Sequence, residues 1–410
     1  MRHMAIAAGL LVMTITTSCA PASAPATGSA STDRPSRNPS PNASAEPPKT
    51  ARNVTLALPD PTGSQPVGTT SLHLTDTSRP DPWDPGSKAR DLMVSLWYPA
   101  AKAGGRLEPY MTVKESELTL KDAGITGVPS DLLARTRTHA FSDAPPAGKE
   151  RELALVVLSP GFSKTRSSLT SLAEDLANKG YVVAAISHTH ENVATVFPDG
   201  RVATCTACQV EPHDQAFWDK VGATRATDVS FVLDQLTGLR PRWKGSRLID
   251  PARIAMAGHS VGGASSVAAL LKDPRIKAGM NVDGLAVVPV PASGLGKPFL
   301  FLGAQATRTP GGQEAASWET AWQHLTGWKR WLVVAGAEHA SFTDTGLLGE
   351  QAGLDIGAKL PAVRSMEITR AYVAAFLDLH LRGTPQPLLD QASAKYPEVK
   401  VCAVEQKSCA

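Results

Sequence analysis

The segment Ile254-Ala255-Met256-Ala257-Gly258-His259-Ser260-Val261-Gly262-Gly263 constrains the fold more than any other in this chain. An apolar run passes through a sharp turn into a run of small residues, the pattern of a strand feeding a helix with one serine at the bend. In a G-x-S-x-G turn of this kind the serine is held in a strained backbone conformation with its Oγ exposed above a sheet. Gly258 and Gly262 fall where strand and helix pack closely, and only glycine brings no Cβ to that contact. A merely structural turn would require neither the strand before nor the helix after. Ser260 is therefore read as a nucleophile, with Gly258, His259 and Gly262 forming the elbow around it.

The flanking sequence supplies a sheet for that elbow. Leu92 to Tyr98 alternates and stops at Pro99, as a strand does. Leu153 to Leu158 and Tyr181 to Ile186 are continuous apolar runs, typical of strands buried on both faces. Between them Leu169, Leu172 and Leu176 mark one helical face that Gly180 ends. A long helix is expected around Thr224 to Leu236, after an irregular insertion that holds Phe217 and Trp218. Strands follow the elbow at Ala278 to Val282, Pro298 to Leu302 and Trp331 to Val334, and a closing helix covers Met366 to Leu381. Such alternation implies a mostly parallel central sheet with helices on both faces, an α/β-hydrolase fold. Ligand sites in these sheets lie beyond the carboxyl ends of the strands, where Ser260 falls.

Three segments are expected ahead of and within the fold. Arg2 and His3 precede an apolar run, Ala5 to Ile15, too short to span a bilayer, so residues 1–19 read as an export signal. Thr16-Thr17-Ser18-Cys19 resembles a bacterial lipoprotein cleavage site, although Thr16 stands where leucine is usual; plain cleavage after Ala22-Ser23-Ala24 is disfavoured by Pro25. A lipidated Cys19 would anchor the chain to a membrane, giving a cell-surface lipoprotein; the alternative is a secreted protein. Residues 20–52 are rich in Pro, Ala, Ser and Thr and too poor in large apolar side chains to offset their ordering entropy, so they read as a tether. Residues 53–410 form the catalytic domain. Setting Cys19 aside leaves an even four of the five cysteines, and proximity pairs Cys205 with Cys208 and Cys402 with Cys409.

A serine hydroxyl becomes a useful nucleophile when an imidazole takes its proton and a carboxylate orients that imidazole. In this fold the order along the chain is Ser, acid, His. His324 sits in a helical stretch, whereas His339 follows the Trp331 strand and the turn Ala335-Gly336-Ala337-Glu338; His339 is the expected base. The strand Phe299 to Leu302 runs on without an acid until Glu314, while Met280-Asn281-Val282-Asp283 places one directly at a strand end. Asp283 is the expected acid, and Asp344 the weaker alternative. The oxyanion hole needs two backbone N–H groups, that of Val261 and one from Pro160-Gly161-Phe162-Ser163, assigned to Phe162 with Ser163 one peptide away.

These residues resemble the plasma-type (type II) platelet-activating-factor acetylhydrolases and their bacterial relatives over nearly all of 55–385. Pro61-Thr62-Gly63, Pro66-Val67-Gly68 and Asp91 to Pro99 look like the family's opening strands, and Arg225, Asp228, Val232 and Leu233 fit its helix before the elbow. Pro160-Gly161-Phe162 resembles its oxyanion loop, where many members carry His-Gly. The triad spacing and the phrase His339-Ala340-Ser341-Phe342-Thr343-Asp344 are similar as well. The resemblance implies a calcium-independent serine esterase, with no cofactor, acting on phospholipids that carry short or oxidised sn-2 acyl chains. The residues alone imply a serine hydrolase of small-molecule or lipid esters.

Other function classes fit less well. A net charge of +3 and the lack of a basic run interleaved with aromatics argue against a nucleic-acid partner. His188-Thr189-His190-Glu191 offers two imidazoles without a clear third ligand, a poor metal site. Cys205 to Cys208 does not open a helix after a strand, as a redox C-x-x-C would. A cutinase or polyester hydrolase would share the elbow and the Pro-Gly-Phe loop but place its acid after the later strand. A non-catalytic, hydrolase-like binding protein would not need the complete Ser260, Asp283 and His339 set.

Overall fold

The computed structural model describes residues 55–410. The expected signal at 1–19, with Cys19, and the tether at 20–52 lie outside the described residues.

The chain opens with β1 (Val67–Asp76) and β2 (Arg90–Pro99), an antiparallel pair, then α1 (Val113–Asp122) and the short β3 (Phe141–Ser142). Next come β4 (Leu153–Ser159), α2 (Thr170–Asn178) and β5 (Val182–Ser187). A two-stranded ribbon, β6 (Thr195–Val196) with β7 (Val202–Ala203), precedes the long α3 (Gln215–Thr237). The elbow unit is β8 (Ile249–His259) and α4 (Val261–Lys272), followed by β9 (Ile276–Val282) and β10 (Phe299–Ala304). Then come α5 (Gln305–Arg308), α6 (Ala316–His324), β11 (Lys329–Val334), α7 (Asp344–Gln351) and α8 (Ala362–Arg382), and the chain closes with β12 (Val399–Ala403) and β13 (Ser408–Cys409).

The main sheet has the order β13-β12-β11-β10-β9-β8-β4-β5-β2-β1-β3. From β11 to β5 the strands are parallel, and the antiparallel pairs lie at the two sides. Every residue of β4, β5 and β10 is buried, because helices cover both faces and neither side chain direction meets water. Two apolar layers result. One packs α2 and α8 onto the sheet through Leu172, Leu176, Tyr372 and Phe376. The other packs α3, α4 and α6 through Val229, Leu233, Val267 and Trp318. At about 25 cal/mol per Å² of apolar surface removed from water, these two faces supply most of the driving force for folding.

Local signals set the helix ends. Asp214 caps α3 by accepting from the Phe217 amide at 3.0 Å, so α3 begins well before the expected Thr224. Phe217 and Trp218 therefore stand in its first turn and not in an irregular insertion. Gly383, at φ 68°, ends α8 in the left-handed conformation that favours glycine.

Candidate active site

The elbow is built by close approach. Ser260 has φ 55° and ψ −127°, a conformation an L-residue adopts only when its surroundings impose it. Its amide donates to the Val282 carbonyl at 2.9 Å. A Cβ at Gly262 would stand 2.0 Å from the Ser159 carbonyl oxygen, and one at Gly258 would stand 2.3 Å from the Gly262 carbonyl carbon. Gly258 lets β8 meet α4, and Gly262 lets α4 meet the end of the neighbouring β4.

Asp283 follows β9, also at positive φ, with its amide on the Leu302 carbonyl at 2.8 Å. Its Oδ2 meets His339 Nδ1 at 2.6 Å, while Oδ1 accepts from the Ala304 amide at 2.9 Å and from Arg308 Nε at 3.3 Å. Burial alone would raise this carboxyl. The His339 bond and the Arg308 guanidinium outweigh burial and hold it below the usual carboxylate range. An ionised carboxylate only accepts, so this contact requires a proton on His339 Nδ1.

His339 begins a short 3₁₀ turn after β11. Its backbone carbonyl accepts from His259 Nε2 at 2.8 Å, and the two rings lie 4.5 Å apart. Burial, then the neighbouring His339, pushes His259 down to about 3, so this ring is neutral and serves as a brace. Ser260, His339, Asp283, Phe162, Val261 and Trp218 share one open cleft of about 360 Å³. No hydrogen bond between the Ser260 hydroxyl and His339 is present among the described residues. Contacts of this kind often tighten only with substrate bound.

Val261 is the first residue of α4, and the leading amides of a helix have no intrahelical acceptor. On the facing loop the Ser163 amide is committed to the Glu191 carbonyl at 2.9 Å, and no backbone hydrogen bond from the Phe162 amide is present among the described residues. In this loop Ser163 takes the positive φ, 64°. Gly161 permits approach, since a Cβ there would lie 3.3 Å from Ser260 Cβ.

A buried charged lattice holds this loop from behind. Arg225 Nη1 donates to the Pro160 carbonyl at 2.5 Å, and its Nε donates to Glu191 Oε2 at 2.7 Å. Glu191 Oε1 accepts from Trp83 Nε1 at 2.9 Å. Three residues along α3, Asp228 receives Arg90 Nη2 at 2.9 Å and His188 Nδ1 at 2.8 Å. Burial opposes the Asp228 charge, but Arg90 and His188 hold its carboxyl far below the ordinary range. His188 also meets Ser159 Oγ at 3.0 Å, so it is a structural member of this lattice. Among the described residues no group of three or more His, Cys, Asp or Glu is arranged to hold a metal ion.

Asp344 is not a partner of His339. Its Oδ2 accepts from the Ser171 amide at 3.0 Å, and burial pushes the carboxyl up to about 8. His380 lies in the last turn of α8 with its ring 4.5 Å from that of Trp328, part of the packing and not of the cleft lining. Cys205 and Cys208 lie at disulfide distance, as do Cys402 and Cys409. Arg308, Arg225, Glu191 and Trp83 were not legible as site residues, because a helix arginine or a loop glutamate has no local pattern that reveals a partner so far away in sequence.

Comparison with known proteins finds ester hydrolases of more than one substrate name. Residues 232–384 match the family described as platelet-activating factor acetylhydrolase, isoform II. A protein of Arthroderma benhamiae named "Probable 1-alkyl-2-acetylglycerophosphocholine esterase" is 31% identical over 375 residues, covering 83% of this chain and 92% of that protein. The platelet-activating factor acetylhydrolase of Cavia porcellus is 24% identical over 258 residues, covering 55% of this chain and 57% of that protein. Among solved structures, a ferulic acid esterase from Streptomyces cinnamoneus is 42% identical, with a TM-score of 0.76, covering 85% of this chain and 99% of the other.

Proposed function

This chain belongs to the platelet-activating factor acetylhydrolase isoform II family and is a carboxylic ester hydrolase, and from that premise we propose that it cleaves short or oxidised sn-2 acyl esters of phospholipids through Ser260, His339 and Asp283. The observation that carries the reading is the 2.6 Å contact from Asp283 to His339 Nδ1, beside a serine at φ 55° in the same cleft.

Ser260 Oγ attacks the ester carbonyl carbon as its proton passes to His339 Nε2. Asp283 keeps the proton on Nδ1 and stabilises the imidazolium that forms. The carbonyl oxygen takes up negative charge between the Phe162 and Val261 amides. Collapse breaks the ester C–O bond, and His339 returns the proton to the leaving alcohol. Water then attacks the acyl-enzyme with His339 as base, releasing the acid and restoring Ser260.

A second reading, hydrolysis of an aromatic acyl ester, is favoured by the rings at the cleft. Phe162 and Trp218 line it, edge to face at 5.5 Å, and the buried Phe217 packs 5.7 Å from Phe162. Such a group offers an edge-to-face partner to a substrate ring. The ferulic acid esterase likeness points the same way. Turnover of an sn-2 acetyl phosphocholine and of methyl ferulate by the same preparation decides between them: preference for the first supports the acetylhydrolase reading, and preference for the second replaces it.

Export belongs to the same proposal, supported by the two cysteine pairs at disulfide distance, which suit an oxidising compartment. Labelling by radioactive palmitate that disappears in Cys19→Ala tests the lipid anchor.

A further inference from the structure

β10 ends without an acid, and α5, which follows it directly, ends in an arginine instead. Arg308 is 4% exposed, a rare setting for a guanidinium unless a partner compensates its lost hydration. Its Nε donates to Asp283 Oδ1 at 3.3 Å, and its Nη2 donates to the Asp283 main-chain carbonyl at 3.0 Å. Nη1 donates to the Glu314 carbonyl at 2.9 Å. Among the described residues Asp283 is the one carboxylate paired with this cation.

The seat for the contact is built by three further elements. A Cβ at Gly303 in β10 would stand 2.6 Å from Arg308 Cγ and 2.7 Å from Asp283 Oδ1. Trp331 Nε1, in β11, donates to the Arg308 carbonyl at 2.8 Å. The Trp318 ring of α6 has its centre 5.4 Å from the guanidinium carbon. With Oδ1 held from this side, Oδ2 is left to meet His339 Nδ1 at 2.6 Å. The bond to the main-chain carbonyl also braces Asp283 at φ 55°. In the resting triad the imidazole is neutral, so a buried Asp283 carboxylate needs its counter-charge from elsewhere. The other titratable ring near Asp283, His259 at the end of β8, is pushed down to about 3 and carries none.

We propose that Arg308 is a positioning residue of the triad, the fixed cation that balances the Asp283 carboxylate and aims its second oxygen at His339. The proposal rests on the serine esterase reading above. Arg308 acts through Asp283, and the strand that lacks an acid thus supplies the support for the acid beside it.

The test compares kcat, KM and the pH dependence of kcat/KM for p-nitrophenyl butyrate in the full chain, Arg308→Gln and Arg308→Lys. Glutamine donates without charge, and lysine keeps the charge without the fork. Removing a cation lets the Asp283–His339 pair take up its first proton more readily. The acid-side fall of kcat/KM should therefore move up by about one pH unit in Arg308→Gln and by less than about 0.3 in Arg308→Lys. Above that fall kcat should drop about tenfold in both, with KM changed less than about threefold. In an Asp283→Asn background, which has no charge to balance, Arg308→Gln should cost less than about threefold more in kcat; a merely structural arginine would cost the same in both backgrounds. An unmoved profile in a folded Arg308→Gln, a lysine profile displaced like that of glutamine, or fully additive losses would each overturn the proposal. If Arg308→Gln does not fold, Arg308→Lys decides, since a displaced profile or a change confined to KM overturns it. If the parent turns over no ester, the serine esterase reading fails, while the NMR signal of the His339 Nδ1 proton still reports on the clamp. That signal should shift in Arg308→Gln and hold in Arg308→Lys, and its standing still in both would overturn the proposal without any turnover.

Discussion

Replacing Asp283 by Asn separates the orienting role of the acid from its place in the fold. Oδ1 accepts from the Ala304 amide at 2.9 Å and from Arg308 Nε at 3.3 Å, and both partners are donors only. An asparagine must therefore turn its oxygen to that side and present its NH₂ to His339 Nδ1. Nδ1 then becomes the acceptor, the ring proton moves to Nε2, and the base facing Ser260 can no longer take a proton. A triad forced into the wrong tautomer loses about 10⁴-fold in kcat, or about 5.5 kcal/mol of transition-state stabilisation. Because the side chain keeps its shape and two of its partners, stability should fall by only about 1–3 kcal/mol, the usual cost of an imperfect buried hydrogen bond. Turnover of p-nitrophenyl butyrate together with a thermal melt reads both quantities. A folded Asp283→Asn that loses less than about tenfold in kcat would refute the assignment of the acid.

Other expectations follow from the same geometry. Arg225→Lys keeps the charge but not the two-pronged hold on Pro160 and Glu191; kcat should fall roughly tenfold with KM little changed, short of the ~10²-fold cost of deleting an oxyanion donor. A change confined to KM would argue against loop positioning. Gly262→Ala puts a Cβ 2.0 Å from the Ser159 carbonyl oxygen, so a soluble, fully active variant would contradict the packing described. Asp344, raised to about 8 by burial from an ordinary 3.8, keeps its proton in the fold while the unfolded chain gives its own up. The folded state thus holds an extra proton across that window, and this residue lowers stability as pH rises through it, with no further loss above. Asp344→Asn should therefore gain Tm over the parent progressively from about pH 5 to about pH 8, with kcat changed less than about threefold; a pH-independent difference would refute the shift.

The parts legible in the sequence were those written in local pattern. Continuous apolar runs identified β4 and β5, and the elbow signature with its flanking glycines located the turn at Ser260. The choice of Asp283 came from an absence, since β10 continues without an acid, and the structure brings Asp283 to His339 while turning Asp344 toward Ser171. The early start of α3 rests on a local signal, Asp214 as its cap, whereas distance along the chain hides the rest. The lattice of Arg90, Glu191, Arg225 and Asp228 gathers residues from β2, the loop after β5 and α3, and only the closed fold brings them together. The brace from His259 to the His339 carbonyl is of the same kind: one residue of the elbow motif gains its role from a partner far along the chain. The turn at Ser163 shows the converse, a positive φ taken by serine beside a glycine that does not need one.

Ser260 is proposed as the nucleophile of an esterase that prefers short acyl groups on phospholipids. The most direct measurement is hydrolysis of an sn-2 acetyl phosphocholine by the purified protein, with Ser260→Ala prepared in parallel. Turnover by the parent and a loss of about 10⁴-fold or more in the variant is the expected result. Equal turnover by both proteins would contradict the mechanism, and inactivity of the parent on this ester alongside cleavage of p-nitrophenyl butyrate would contradict the substrate.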